Sequence, residues 1–299
     1  MPKKAIALCT SDWHLRTTVP CSRAETNWFE VMEARMAALK RIQLDLGEVP
    51  ILVAGDLVDR ADPPSSLVAW AIKNLPRRVY CCPGQHDLLS HRYEDRFHGA
   101  YGALVRAGAI TDLEAGEWHW IAGLHKLYVW PMPWGRYDLP PPESPGGIRI
   151  AMLHKYVWSS PDTKHVGAEA DSNVVGLTAY AQHFDAISIG DNHTSWKAGK
   201  FCNHGSLFKT TSAQKDHCHM MAVVYDDGTV ASMPFPEDAQ WVEAGMDFGA
   251  AAGSSALVAE LGSIENDSVS FETALQVLED KSDARTKAIL AEVRAAVFR

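Results

Sequence analysis

Five short apolar runs punctuate the first two thirds of the chain, and each ends in a polar tip. Ala5 to Cys9 leads into Ser11, Asp12 and His14, Ile51 to Ala54 into Gly55, Asp56 and Asp59, and Val79 to Cys82 into Gly84, Gln85, His86 and Asp87. Ile148 to Leu153 ends at His154, and Ala186 to Ile189 gives way to Gly190, Asp191, Asn192 and His193. Short continuous apolar runs of this kind read as strands covered on both faces. Helical patterns separate the first three. Trp28, Met32, Met36, Leu39, Ile42 and Leu46 share one face; Ser22 to Glu25 has the spacing of a capping box, and Gly47 is a suitable stop. Asp62-Pro63-Pro64 opens a second helix through Leu67, Trp70, Ala71 and Leu75, with Asp62 as its expected cap. This β-α-β-α-β alternation predicts an α/β domain in which side chains at the carboxyl ends of strands converge on one crevice.

Further along, a helix is expected near Tyr101 to Ala107, strands around Trp118 to Ile121 and Leu127 to Trp130, and a helix over Val174 to His183. Pro140-Pro141-Pro142 and Gly146-Gly147 mark a loop, and Asp226-Asp227-Gly228 a hairpin turn between two strands. The main domain is expected to span residues 1–245. Residues 246–299 read as a helical appendage, with Phe271, Ala274, Leu275 and Leu278 on one stripe and Ser282 capping a last helix.

Composition narrows the class. The chain has 299 residues with 46% hydrophobic content, enough for a sizeable core. Its formal charge of −9 argues against broad attraction to polyanions, so any such contact must be local. One stretch qualifies: Lys197, Lys200, Lys209 and Lys215 lie between residues 196 and 215 without an acid, interleaved with Trp196, Phe201 and Phe208. Six cysteines without CxxC spacing point to neither a zinc ribbon nor a disulfide scaffold. The N-terminus lacks the apolar stretch of a secretory signal, and no run approaches the roughly 20 residues that cross a bilayer, so a cytoplasmic protein is expected.

Oxygen ligands with a few imidazoles suit Mn²⁺, Mg²⁺, Fe²⁺ or Zn²⁺, and a carboxylate such as Asp56 can bridge two ions. Such a pair clamps a phosphoester and activates water. Asp12-x-His14, Gly55-Asp56-x-x-Asp59, Gly84-Gln85-His86-Asp87, His154 and Gly190-Asp191-Asn192-His193 together resemble the five motifs of calcineurin-like metallophosphoesterases. In detail they are most similar to SbcD-type nuclease subunits and their phage-type relatives. Asn203 to Lys209 resembles the Asn-Pro-Gly-Ser-x-x-Arg segment of that branch.

The resemblance implies a β-sandwich flanked by helices, layered α/β/β/α. It implies one metal on Asp12, His14, Asp56 and His193, and a second on Asp56, Gln85, His154 and Asp191. Mn²⁺ is the first expectation, with Mg²⁺, Fe²⁺ or Zn²⁺ as alternatives. His86 would act beside the scissile phosphate, with Asp59 and Asp87 orienting ligands, and Lys197, Lys200 and Lys209 would face DNA. The implied activity is DNA cleavage, exonucleolytic or endonucleolytic, by a metal-bridging hydroxide. The implied partners are DNA, an SbcC-type coiled-coil ATPase docked on the C-terminal helices, and a second copy of the chain. Gln85 and Asp191 depart from the usual asparagine and histidine, as do His204 and Lys209 from proline and arginine. Two alternatives stand beside the nuclease: a phosphatase or small-nucleotide phosphodiesterase, and a subunit that binds DNA ends or an ATPase without cutting. His125, His165, His183, His217 and His219 lack motif support, and Trp118, Trp120, Trp130 and Trp134 are expected to pack.

Overall fold

The computed structural model describes residues 2–121, 126–141, 143, 145–160, 164, 172–211 and 214–236. They belong to the first of two compact units of the chain, Met1–Val242; the helices expected beyond residue 246 lie outside the described residues. The five apolar runs form β1 (Ala5–Thr10), β2 (Ile51–Ala54), β3 (Val79–Cys82), β7 (Ile148–His154) and β8 (Ala186–Gly190). Between them lie α1 (Trp28–Asp45), α2 (Ser65–Asn74), α3 (Ala100–Arg106), β4 (Thr111–Asp112), β5 (His119–Trp120), β6 (Leu127–Met132) and α4 (Thr178–Ala181). The chain continues through β9 (Trp196–Ala198), β10 (Phe201–Asn203), β11 (Met220–Tyr225) and β12 (Val230–Pro234).

Two six-stranded sheets result, ordered β12-β11-β1-β2-β3-β4 and β5-β6-β7-β8-β10-β9. In the first, β1 to β4 are parallel and β11 closes antiparallel on β1; in the second, β6, β7, β8 and β10 are parallel. Strand alternation builds the layers. Ile51 and Val53 of β2 point to a core shared with Trp28, Met32 and Met36 of α1, Trp70 of α2 and Tyr101 of α3. Leu52 and Ala54 point the other way, into a core shared with Ile150 and Met152 of β7. Ala151 and Leu153 face the outer side of the second sheet, against Leu177 and Phe184. Each of these large side chains contributes about 1.5–3 kcal/mol by leaving water. The sheets are therefore pressed together with their strand directions fixed, which brings the carboxyl ends of β1, β2, β3, β7 and β8 to one edge.

The helices depart from their sequence signals at their starts. Ser22 and Glu25 do not cap α1: the Ser22 hydroxyl donates to Thr210 O, and Glu25 accepts from Arg23, which also donates to Lys209 O. Asn27 caps the helix instead, its side chain accepting from Phe29 N–H at 3.1 Å. The expected stop is there: Gly47 sits at φ +88°, with Glu48 N–H on Gln43 O and Gly47 N–H on Leu44 O, a Schellman closure. Asp62 does not cap α2 but accepts from Arg60. The helix expected over Val174 to His183 shrinks to the single turn of α4. Trp120 is 60% exposed, whereas Trp130 is buried as expected.

Candidate metal centre

Four of the seven expected ligands stand in the left-handed backbone region: Asp12 at φ +51°, His14 at +41°, Asp56 at +51° and Asp191 at +83°. Such conformations in non-glycine residues cost roughly 1–3 kcal/mol each and persist where the surrounding structure over-determines them. Here the chain turns sharply out of each strand, and backbone ties hold the turns together. Asp12 N–H donates to Gly55 O, His14 N–H to Asp56 O and Asp191 N–H to the Asp12 carboxylate at 3.0 Å. Gly55, at φ +84°, must lack a side chain, because a Cβ there would lie 2.1 Å from His154 Nδ1. A Cβ on Gly84 would lie 2.2 Å from Asp56 Oδ1.

The side chains of these turns lie close together. Ligand atoms of Asp12, His14 and His193 form one cluster within 4.8 Å of one another, and those of Asp12, Asp56 and His154 another. The two share Asp12, and Asp56 links them, its Oδ2 lying 3.6 Å from His14 Nε2 of the first and 3.5 Å from His154 Nε2 of the second. Gln85 Oε1 is 2.6 Å from His154 Nε2, and Gln85 Nε2 donates to Asp191 Oδ1 at 2.7 Å, so both departures from the usual family pattern reach the second cluster and contact each other. His86 also enters, in a cluster with His14 and Asp56. It is exposed, and its Nδ1 is held 2.8 Å from Asp59 O, so Nε2 is the nitrogen left for chemistry.

The electrostatics describe a site built for cations. Burial forces the Asp12 carboxyl well above the usual carboxylate range, and the neighbouring Asp56 adds to it. Burial pulls the His14 imidazole down to about 3, and that of His193 down as well. For Asp56 burial opposes ionisation, but His154 outweighs it and holds the carboxyl below its usual range. Neutral His14 and His193 and a charged Asp56 are in the forms that ligate metal, whereas His154, which burial would lower but Asp56 holds well above the usual imidazole range, and Asp12 would each give up a proton on ligation. Two observations test the fit. Asp56 Oδ2 is buried with no hydrogen-bond partner, an arrangement that costs stability unless something positive engages it. His154 Nδ1 donates to Ala54 O at 2.7 Å, the tie that turns the other nitrogen of a ligating histidine inward. The residues fit a pair of divalent ions, with Asp56 between them.

Asp87 and Asp59 contact the turns that carry these residues. The buried Asp87 carboxylate accepts from Leu57, Val58 and Gly84 N–H, stapling the Asp56 turn to the Gln85 turn. Burial pushes its carboxyl up to about 7, Asp56 adding to the rise and the three N–H groups opposing it. Asp59 Oδ1 lies 3.7 Å from His14 Nδ1 and 3.6 Å from Arg16 Nη1.

A profile described as Calcineurin-like phosphoesterase matches residues 7–227, a span that contains every one of these ligands. The chain belongs to the calcineurin-like phosphoesterase family. Metal-dependent hydrolysis of phosphoesters is the chemistry of that family. Among solved structures it is similar to a provisionally assigned 5′-nucleotidase from Staphylococcus aureus, in complex with alpha-ketoglutarate, at 11% identity and TM-score 0.46. That match covers 82% of this chain and 56% of the nucleotidase, so the chain spans little more than half of its length. It is also similar to a metallophosphoesterase from Sphaerobacter thermophilus, at 15% identity and TM-score 0.34, covering 86% of this chain and 94% of that one. No curated protein matches the chain.

Within this phosphoesterase, the residues expected to face DNA are placed otherwise. Lys209 is buried, its ammonium donating to Lys215 O at 2.8 Å. Lys197 donates to Val230 O and Lys200 to Ala181 O and Phe184 O. Because Phe201 pairs with Ile187 and Asn203 with Ile189 in parallel register, Lys200 stands at the end of the sheet away from the metals. Trp196, Phe201 and Phe208 are buried. The segment from Asn203 to Lys209 is instead a brace. Asn203 donates to Asn192 O and Thr194 O, Ser206 N–H to His193 O, and Leu207 N–H to Asp12 O. His219, which had no motif support, braces the same region: its Nδ1 lies 3.0 Å from Gly205 O and its Nε2 2.9 Å from Thr10 Oγ1. A lone histidine in a strand-rich stretch carries no sequence signal for that role. His125 and His165 lie outside the described residues.

Proposed function

We propose that the protein is a metal-dependent phosphodiesterase acting on DNA, with Mn²⁺ as the preferred ion. The observation that carries the reading is the orphaned, buried Asp56 Oδ2 at the junction of two ligand clusters, with the exposed His86 beside it. Bound divalent ions would supply Lewis acidity and lower the pKa of a coordinated water. Asp12, His14, Asp56 and His193 would hold one ion; Asp56, Gln85, His154 and Asp191 the other. His86, oriented through Nδ1 by Asp59 O, presents Nε2 to pass a proton to the leaving sugar oxygen. DNA as the substrate is supported by the motif combination that resembles SbcD-type nucleases. Docking of a coiled-coil ATPase on residues 246–299 and pairing with a second chain belong to the same proposal.

A second reading is favoured by the lysines. With Lys209 buried and Lys200 at the far end of the sheet, these two lysines do not form a basic track leading from the centre, which suits a small phosphoester such as a nucleotide. The two are separated by supplying Mn²⁺ with linear duplex DNA, bis-p-nitrophenyl phosphate and p-nitrophenyl phosphate. The nuclease reading expects degraded DNA and diester hydrolysis faster than monoester hydrolysis. Fast monoester turnover with intact DNA would overturn it in favour of the small substrate.

A further inference from the structure

At the opposite ends of β2 and β3 from the metals lies a groove of about 560 Å³, between the C-terminal ends of α1 and α2 and the loops that enter the two strands. Lys40, Lys73, Arg77 and Arg78 line it against a single acid, Glu48. In a chain of formal charge −9 this is a marked local concentration of positive charge. Among the described residues, the side chains of Lys40, Lys73 and Arg77 have no carboxylate partner. Apolar surface lies beside the cations, from Leu44, which is 59% exposed, and Leu75.

The groove is built rather than incidental. Buried Gln43 reaches both loops through one amide nitrogen, donating to Val49 O at 2.8 Å and Arg77 O at 2.7 Å. Arg78 Nη1 ties the loops again by donating to Glu48 O at 2.9 Å. Glu48 and Arg78 both hold left-handed backbone, at φ +56° and +57°. Lys73, in the last turn of α2, complements the helix dipole, but Arg77 and Arg78 lie beyond the helix and that role does not account for them.

We propose that this groove binds a small phosphorylated ligand, a nucleoside polyphosphate. Its phosphate chain would lie on the lysines and arginines, which match phosphate oxygens as point charges and as planar forks. Its base would lie against Leu44 and Leu75. The volume falls within the roughly 300–1,000 Å³ of small-molecule sites. The four residues of β2, at about 3.3 Å each, put the groove roughly 13 Å from the catalytic edge, so the ligand is not the substrate in place. The proposal stands whether or not the metal centre cleaves DNA.

The test is calorimetric titration of the full chain, kept in chelator so that the metal centre cannot hold phosphate, with ATP and with inorganic tripolyphosphate. Both should bind saturably. The double change Lys73→Glu and Arg77→Glu should weaken both at least tenfold, with an unchanged melting temperature because both side chains are exposed. Leu44→Ala should weaken ATP alone, and His86→Ala neither. Should the double variant melt early, Lys73→Gln alone should still weaken both ligands about threefold. Absence of saturation, affinity untouched by the charge changes, or loss in His86→Ala would overturn the proposal. So would tight binding of a short DNA duplex without binding of ATP.

Discussion

The Nε2 atoms of His14 and His193 face each other at 3.0 Å, their rings edge to face with centroids 4.8 Å apart. They come from different sheets, and burial keeps both imidazoles from protonating readily. Two neutral ring nitrogens at this distance are poorly matched unless a cation accepts both lone pairs. Ion binding should therefore stabilise the fold. At about 100 times its dissociation constant an ion contributes about 2.7 kcal/mol, or a rise of roughly 5–10 °C for a domain of this size. Thermal melts in Mn²⁺ and in chelator should differ by that much, and His193→Ala should shrink the difference. Superimposable melts would show that the nitrogens serve packing alone.

Gly84 is predicted to tolerate no side chain. Its φ of −92° is open to any residue, so only space excludes one: an added Cβ would lie 2.2 Å from Asp56 Oδ1 and 2.6 Å from His154 Nε2. Gly84→Ala should fold yet lose at least about 100-fold in Mn²⁺ affinity or turnover, the upper end of what displaced ligand support costs. Equilibrium dialysis checks the first quantity and diester hydrolysis the second.

Gln85 and Asp191 should act as a coupled pair, because the amide of one donates to the carboxylate of the other at 2.7 Å. Removing either takes this hydrogen bond from the other. In a double-mutant cycle of Gln85→Ala and Asp191→Ala, metal affinity should show a coupling of about 0.5–3 kcal/mol. Asp191→His, which exchanges a hard oxygen donor for imidazole, should shift preference from Mn²⁺ toward Zn²⁺ roughly tenfold. Strict additivity in the cycle would dissociate the two residues.

Acid should destabilise the protein from inside the sandwich. Burial lowers the His204 imidazole from its ordinary 6.5 to about 4, and lowers His219 further. His204 Nδ1 lies 2.8 Å from Met220 O and its Nε2 2.7 Å from Ser188 Oγ, a set complete for a neutral ring. A depressed folded value means that the unfolded chain takes up the proton first as pH falls. The stabilisation is complete above pH 6.5, declines between 6.5 and about 4, and amounts to about 3 kcal/mol for His204. Urea midpoints of wild type should fall steeply over that window, and those of His204→Gln less steeply. Parallel pH profiles would remove His204 from the account.

The strands and the polar tips that end them were legible in the sequence because each is written contiguously: an apolar run covered on both faces, then its polar tip. Helix starts were not. Ser22 and Glu25 have capping-box spacing, yet Thr210 O, which the fold brings from 188 residues away, takes the Ser22 hydroxyl, and the neighbouring Arg23 takes Glu25. The surroundings of the lysines were not legible for a similar reason. Lys209 carries the charge of a DNA-binding residue, but the Lys215 carbonyl that buries it comes from a bend the sequence does not announce. The bracing done by Asn203 and His219 depends on which backbone groups two sheets bring together, and periodicity holds no record of that.

The most direct test of the account is the number of Mn²⁺ ions bound per chain, measured by calorimetry and by elemental analysis after gel filtration, in wild type and in Asp56→Asn. Asp56 belongs to one cluster with Asp12 and His154 and to another with His14 and His86, through one carboxylate with an unpartnered oxygen. The account predicts two ions in wild type and, in the variant, loss of at least one ion together with nearly all diester hydrolysis. Two ions held with undiminished turnover by Asp56→Asn would contradict it.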